Sequence, residues 1–241
     1  MTQPAVILAH ARSGSTFLAH CLDSHPDVFC LKTEPLHNAQ PLRHRFPGAS
    51  SEAILEALLF QPHYTAACAK IIYPHQTSDA LLQTLRGWET RVILLTREDL
   101  LRTAVSWAFT SMRESGGLDR PVHSRSVEKP VRVRVDPWVV LGYAQLVRDA
   151  TRFIVTALDW YHFQVLELSY EEVFGGEHGE IRELPTDVNR QICKFLGVDA
   201  RYRMRSQLRK INRYPLKEQI ENWGEFSAAL KNTFLAPYLE E

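Results

Sequence analysis

Val6-Ile7-Leu8-Ala9-His10-Ala11-Arg12-Ser13-Gly14-Ser15-Thr16-Phe17-Leu18-Ala19-His20-Cys21-Leu22 decides the fold. The apolar run from Ala5 to Leu8 reads as a strand. A polar turn of small residues follows, Arg12-Ser13-Gly14-Ser15-Thr16. Phe17, Leu18, Cys21 and Leu22 then recur at helical spacing. A strand, such a turn and a helix suit an anion. The first amides of a helix have no intrahelical partner, and the helix dipole favours negative charge beside them. Ser13, Gly14 and Ser15 let an anion approach the backbone, and Arg12, Ser15 and Thr16 add side-chain donors. The stretch is not a Walker A loop, because Gly14 is the only glycine of the turn and no lysine follows it. A Ser/Gly turn before a helix is also an ordinary N-cap, so these residues alone leave both readings open.

Outward from this stretch, short apolar runs alternate with helical patterns. Val28–Leu31 reads as a strand that delivers Thr33-Glu34-Pro35-Leu36-His37 to its carboxyl end. Residues 38–51 read as a loop and Glu52–Phe60 as a helix. Cys68–Tyr73 is a short strand stopped by Pro74. Ser78 or Asp79 caps a helix that runs through Arg86. Arg91–Thr96, RVILLT, is the clearest buried strand, and a helix from Leu100 to about Arg113 follows it. A helix over Trp138–Tyr161, a strand at Val165–Leu168 and a helix from Thr186, as cap, to Leu196 with Gly197 at its C′ position come next. Helical patterns recur at Pro215–Trp223 and Phe226–Leu235. Alternation of this kind predicts βαβ units, hence an α/β fold: three layers, α/β/α, around a central, mostly parallel sheet. Such sheets bind ligands beyond the carboxyl ends of their strands. Arg12–Thr16, Glu34, Arg97 and Tyr170 all follow predicted strands.

Length and composition fit one domain over residues 1–241. Lysine and arginine number 28 against 28 acidic residues, so no global charge points to nucleic acid or an anionic membrane. No apolar run reaches the roughly 20 residues that span a bilayer. No signal-peptide pattern is seen, since the apolar start reads as the first strand. Cys21, Cys30, Cys68 and Cys193 are widely spaced, without a CxxC pair or zinc-type spacing. They read as buried, reduced thiols of a cytoplasmic protein.

A second stretch carries chemistry. Arg97 ends the strand RVILLT, and Ser106 lies nine positions later in the chain, inside the following helix. An arginine fork with a hydroxyl makes a phosphate clamp. A surface arginine and a helix serine bonded to its own backbone is the plain alternative.

R-S-G-S-T directly after an N-terminal strand resembles the 5′-phosphosulfate loop of the sulfotransferases that use 3′-phosphoadenosine 5′-phosphosulfate (PAPS). Arg97 and Ser106 resemble that family's 3′-phosphate site. Leu168-Ser169-Tyr170-Glu171-Glu172 resembles the segment whose tyrosine lies near the adenine. Ile192–Val198 resembles the helix after it, and Leu208-Arg209-Lys210-Ile211-Asn212 to Trp223 resembles the closing segment. The resemblance implies a P-loop-like phosphosulfate loop of Arg12, Ser13, Gly14, Ser15 and Thr16, and a nucleotide site completed by Arg97, Ser106, Tyr170, Arg209 and Lys210. A solvated basic face is the alternative for Arg209 and Lys210.

The neighbourhood Glu34-Pro35-Leu36-His37 resembles the second-strand loop of carbohydrate-type and bacterial members. It implies Glu34 as the catalytic base, with His37 as runner-up and Arg12 stabilising the leaving phosphate. Lys70 either contacts the sulfonate or pairs with Glu34. PAPS is then the co-substrate, adenosine 3′,5′-bisphosphate (PAP) the product, and no metal is required. The acceptor is a hydroxyl or amine of a small molecule, carbohydrate or lipid, and the oligomeric state is open. A nucleotide-kinase-like phosphotransferase and a non-catalytic nucleotide-binding protein are the alternatives. Residues 115–137, with Gly116-Gly117 and several basic residues, read as a mobile lid over the acceptor side, with a solvated surface excursion as the alternative.

Overall fold

A computed structural model describes residues 2–37, 46–114, 132–174, 183–208 and 214–239. Strands β1 (Gln3–Ala9), β2 (Val28–Cys30), β3 (Ala66–Ile72), β4 (Arg91–Thr96) and β5 (Val165–Ser169) form one sheet in the order β2-β3-β1-β4-β5. Every described pairing is parallel. The helices are α1 (Ser15–Asp23), α2 (Ser51–Leu59), α3 (Asp79–Gly87), α4 (Leu100–Glu114), α5 (Pro137–Trp160), α6 (Tyr170–Phe174), α7 (Thr186–Leu196), α8 (Leu216–Gln219) and α9 (Trp223–Leu230). None of the described helices is long and apolar enough to cross a membrane. By packing, the chain divides into two compact units, Met1–Thr96 with Ala150–Leu208, and Arg97–Asp149 with Arg209–Glu241.

The first unit contains the sheet. Its inner strands are buried on both faces, which is why they read as continuous apolar runs rather than alternating ones. The period of two survives in what each residue touches. Ala5, Ile7 and Ala9 pack with Phe17, Leu18 and Leu22 of α1 and Ile192 and Leu196 of α7. Val6 and Leu8 pack with Leu55 and Leu59 of α2, Leu81 and Leu85 of α3, and Ile154 and Leu158 of α5. These are the outer layers of the expected three-layer arrangement.

Local chemistry sets the helix starts and stops. Ser50 Oγ accepts from Ala53 N at 3.1 Å and Ser78 Oγ from Leu81 N at 3.2 Å. Caps of this kind are worth about 1 kcal/mol each. At α7 the expectation fails in detail: Pro185 is the N-cap, and Thr186, as the first helical residue, makes no capping bond. Gly197 ends that helix in the left-handed conformation, at φ 75°.

In the second unit, Leu101, Val105 and Ala108 of α4 bury against Val140, Ala144 and Val147 of α5 and Phe226 and Leu230 of α9. Trp107 stacks on Tyr143 with ring centroids 4.1 Å apart. Of the expected lid, residues 115–131 lie outside the described residues. Its end does not behave as a loose excursion. Val133 bridges Ile220, and the Asn222 amide accepts from Val135 N at 2.9 Å and donates to Val135 O at 3.0 Å. Ile220 is extended, at φ −97° and ψ 117°, and it splits the helix expected over Pro215–Trp223.

Candidate active site

The centre of the sheet order places the site. β1 pairs with β3 on one side and β4 on the other, and the chain returns past β1 to reach β4. The carboxyl end of such a switch strand opens between helices of opposite layers. β1 ends there in the turn Arg12-Ser13-Gly14, and α1 begins at Ser15.

The turn is conformationally specified. Ser13 is fully buried, and its Oγ donates to His10 O at 2.8 Å, closing the turn on itself. Arg12 has φ 69°, a left-handed value uncommon for a residue with a side chain, and Gly14, the N-cap of α1, has φ 84°. No side chain caps the first turn of α1. A β-carbon at Gly14 would stand 2.6 Å from Phe174 Cε2 and 2.9 Å from Tyr170 Cδ2. Glycine is therefore required twice, by its backbone angle and by the rings lying on it.

Those rings come from α6, which the sequence analysis read only as a strand end. Ser169 and Glu172 form a capping box. Ser169 Oγ accepts from Glu172 N at 3.1 Å, and Glu172 Oε2 accepts from Ser169 N at 2.6 Å. The helix so started sets Tyr170 and Phe174 on one face, stacked at 4.2 Å, with Phe17 of α1 4.6 Å from Phe174. Tyr170 is thus brought onto the loop. Phe174 was missed, and its signal was the Ser-x-x-Glu pattern at Ser169.

The second cluster is ionic. β3 is apolar except for Lys70, which is 3% exposed. Its ammonium donates to Thr16 Oγ1 at 3.0 Å and pairs with Glu34 Oε1 at 3.3 Å. Gln76 Nε2 stands 3.5 Å from Glu34 Oε2. The Glu34 carboxylate keeps a 28% exposed side chain, so solvent reaches it while the lysine stays dry. Burial, reinforced by the neighbouring Arg12 charge, pushes the Lys70 pKa down, and Glu34 opposes that shift without cancelling it. A buried ammonium held between a helix-starting hydroxyl and a carboxylate gives the strand ends a fixed positive charge beside an acid.

Of the other expected site residues, His37 is exposed, and its N–H donates to Glu34 O at 3.3 Å, closing the turn that presents the acid. Arg97 directly follows β4 in the chain and opens the second unit, where Ser106 lies on α4; both are partly buried. Asp99 caps α4 through Arg102 N at 2.7 Å and pairs with Arg102 Nε at 3.2 Å. Arg209 and Lys210 lie outside the described residues. The cysteines are free and buried. Burial, with a Cys68 hydrogen bond second, pushes the Cys30 thiol well up, and burial pushes Cys21 up, so neither is a ready nucleophile.

No protein-family model matches this sequence, and no curated protein matches it. Solved structures do. A sulfotransferase from Alicyclobacillus acidocaldarius is 16% identical, with a TM-score of 0.54 over 98% of this chain and 93% of that one. The sulfotransferase domain from the curacin biosynthetic pathway is 18% identical, with a TM-score of 0.47 over 83% of this chain and 75% of that one. Mouse sulfotransferase SULT7A1, complexed with PAP, is 17% identical, with a TM-score of 0.44 over 82% of this chain and 60% of that one. At such identity it is the fold that is shared. This chain has the α/β fold of a sulfotransferase, as the motifs implied.

Proposed function

We propose that this chain is a PAPS-dependent sulfotransferase acting on a hydroxyl or amine of a small-molecule, carbohydrate or lipid acceptor. The observation that carries the proposal is the Lys70 bridge. One buried ammonium ties Thr16 of the phosphate-type loop to Glu34, so anion-binding and proton-accepting groups stand at the same strand ends. The donor supplies a sulfonate on a phosphate leaving group. Arg12 and the amides opening α1 stabilise the negative charge that collects on the departing phosphate oxygen. Lys70 adds positive charge beside them. Glu34 takes the acceptor proton as the new bond from sulfur to the acceptor oxygen or nitrogen forms and the bond from sulfur to the phosphate oxygen breaks. His37 is the runner-up for that role.

Tyr170 offers a ring face to the adenine, and Arg97 with Ser106 takes the 3′-phosphate as a charge-assisted clamp. Arg209 and Lys210 are assigned to the same phosphate by the resemblance alone. The buried thiols suit a cytoplasmic enzyme. The test is an acceptor screen with sulfonate-labelled PAPS, run beside γ-labelled ATP with magnesium. Label transfer from PAPS that Glu34→Gln suppresses supports the proposal. Transfer from ATP instead makes the chain a phosphotransferase and overturns it.

A further inference from the structure

The sheet has a second concavity, at the opposite end from the loop and within the first unit. It is built from the starts of strands: Gln3 heads β1, and Thr65 directly precedes β3. Two helices end on it, since Phe60 is the C-cap of α2 and Trp88 the C-cap of α3. Its volume is about 780 Å³, enough for a small organic molecule.

Three independent features give this cleft a sign. Helix C-termini carry the negative end of the macrodipole; α3 has Arg86 in its last turn to offset it, whereas α2 has no basic residue there. Glu89, an exposed acidic residue, also lines the cleft, in a left-handed backbone conformation at φ 53°, with its backbone carbonyl accepting from Gln3 Nε2 at 3.3 Å. Among the described residues lining the cleft there is no lysine or arginine, and His63 is the one basic side chain. The third feature is aromatic. The Phe60 and Trp88 rings, both of residues lining the cleft, meet edge to face at 87° with centroids 5.7 Å apart, and Phe60 remains 44% exposed. Perpendicular ring faces attract a cation through their quadrupoles.

We propose that this cleft binds a small organic cation, a quaternary or protonated amine with an apolar body. The onium group sits against the Phe60 and Trp88 rings, and Glu89 with the C-terminal end of α2 balances its charge. The inference does not rest on sulfonate transfer. The cation site lies at the opposite end of the sheet from the loop of Arg12–Thr16.

The test is calorimetric titration of the full chain with choline, and with 3,3-dimethylbutan-1-ol, its uncharged carbon isostere. Choline should bind at least about tenfold more tightly than the isostere. Glu89→Gln changes an exposed side chain and should keep the fold. It should weaken choline by about threefold or more and leave the isostere unchanged. Trp88→Phe should keep most of the choline affinity, and Trp88→Leu should lose it. Equal affinity for choline and the isostere would reduce the cleft to an apolar depression and overturn the proposal. Absence of choline binding, or indifference to Glu89→Gln, overturns it equally.

Discussion

Lys70 Nζ stands 3.3 Å from Glu34 Oε1, a buried cation against a half-open carboxylate, and the same ammonium donates to Thr16 Oγ1 at 3.0 Å. Burying an ammonium in a parallel strand is costly unless it is paired and hydrogen-bonded, and both conditions are met here.

Lys70 should give the protein a characteristic pH dependence. Burial first, and then Arg12, hold its pKa below the ordinary 10.5. Between the lowered folded value and 10.5 the unfolded chain keeps the proton that the folded chain has lost. The unfolded state binds more protons in that window, so stability rises with pH across it. Lys70→Met lacks the group. The difference in urea-unfolding free energy, wild type minus Lys70→Met, should therefore climb as pH is raised towards 10.5. A flat difference would mean that the lysine titrates normally, and a falling one that its pKa is raised, either of which contradicts the prediction.

Glu34→Gln keeps the shape of the carboxylate but cannot take a proton. It should lower kcat by roughly 10²–10⁴ while donor affinity changes little. Near-normal turnover in this variant would move the base role to His37.

Gly14→Ala tests the loop without altering its charge. The new β-carbon meets Phe174 and Tyr170 at under 3 Å, and the backbone angle is left-handed. A cost of about 2–4 kcal/mol in stability is expected, together with loss of nucleotide binding. Full stability and full binding in this variant would show that the aromatic cover does not hold the turn.

Most of the sheet was legible in the sequence because its strands are buried on both faces. RVILLT coincides with β4, and Gly197 closes α7 where the pattern placed it. β3 was read from Cys68, two residues late, because Ala66 and Ala67 carry no strand signal of their own. The break at Ile220 was invisible because its partner, Val133, is distant in sequence. At the candidate site, Arg12–Thr16, Glu34 and Tyr170 were found by their places after strands. Gln76 and Phe174 were not, since their roles depend on which turn faces Glu34 and which rings cover Gly14.

Arg97→Ala should weaken adenosine 3′,5′-bisphosphate by ~2–3 kcal/mol, the loss of a charge-assisted contact. It should spare a nucleotide that lacks the 3′-phosphate. Equal weakening of both would remove Arg97 from the 3′-phosphate.

The central claim is that the loop of Arg12–Thr16 serves a phosphosulfate nucleotide. Calorimetric titration of the full chain with adenosine 3′,5′-bisphosphate and with ATP plus magnesium tests it most directly, on wild type and on Arg12→Ala. Adenosine 3′,5′-bisphosphate should bind at least about tenfold more tightly than ATP with magnesium, and Arg12→Ala should weaken it by at least about tenfold. Equal or tighter binding of ATP with magnesium, or unchanged affinity in Arg12→Ala, would contradict the account.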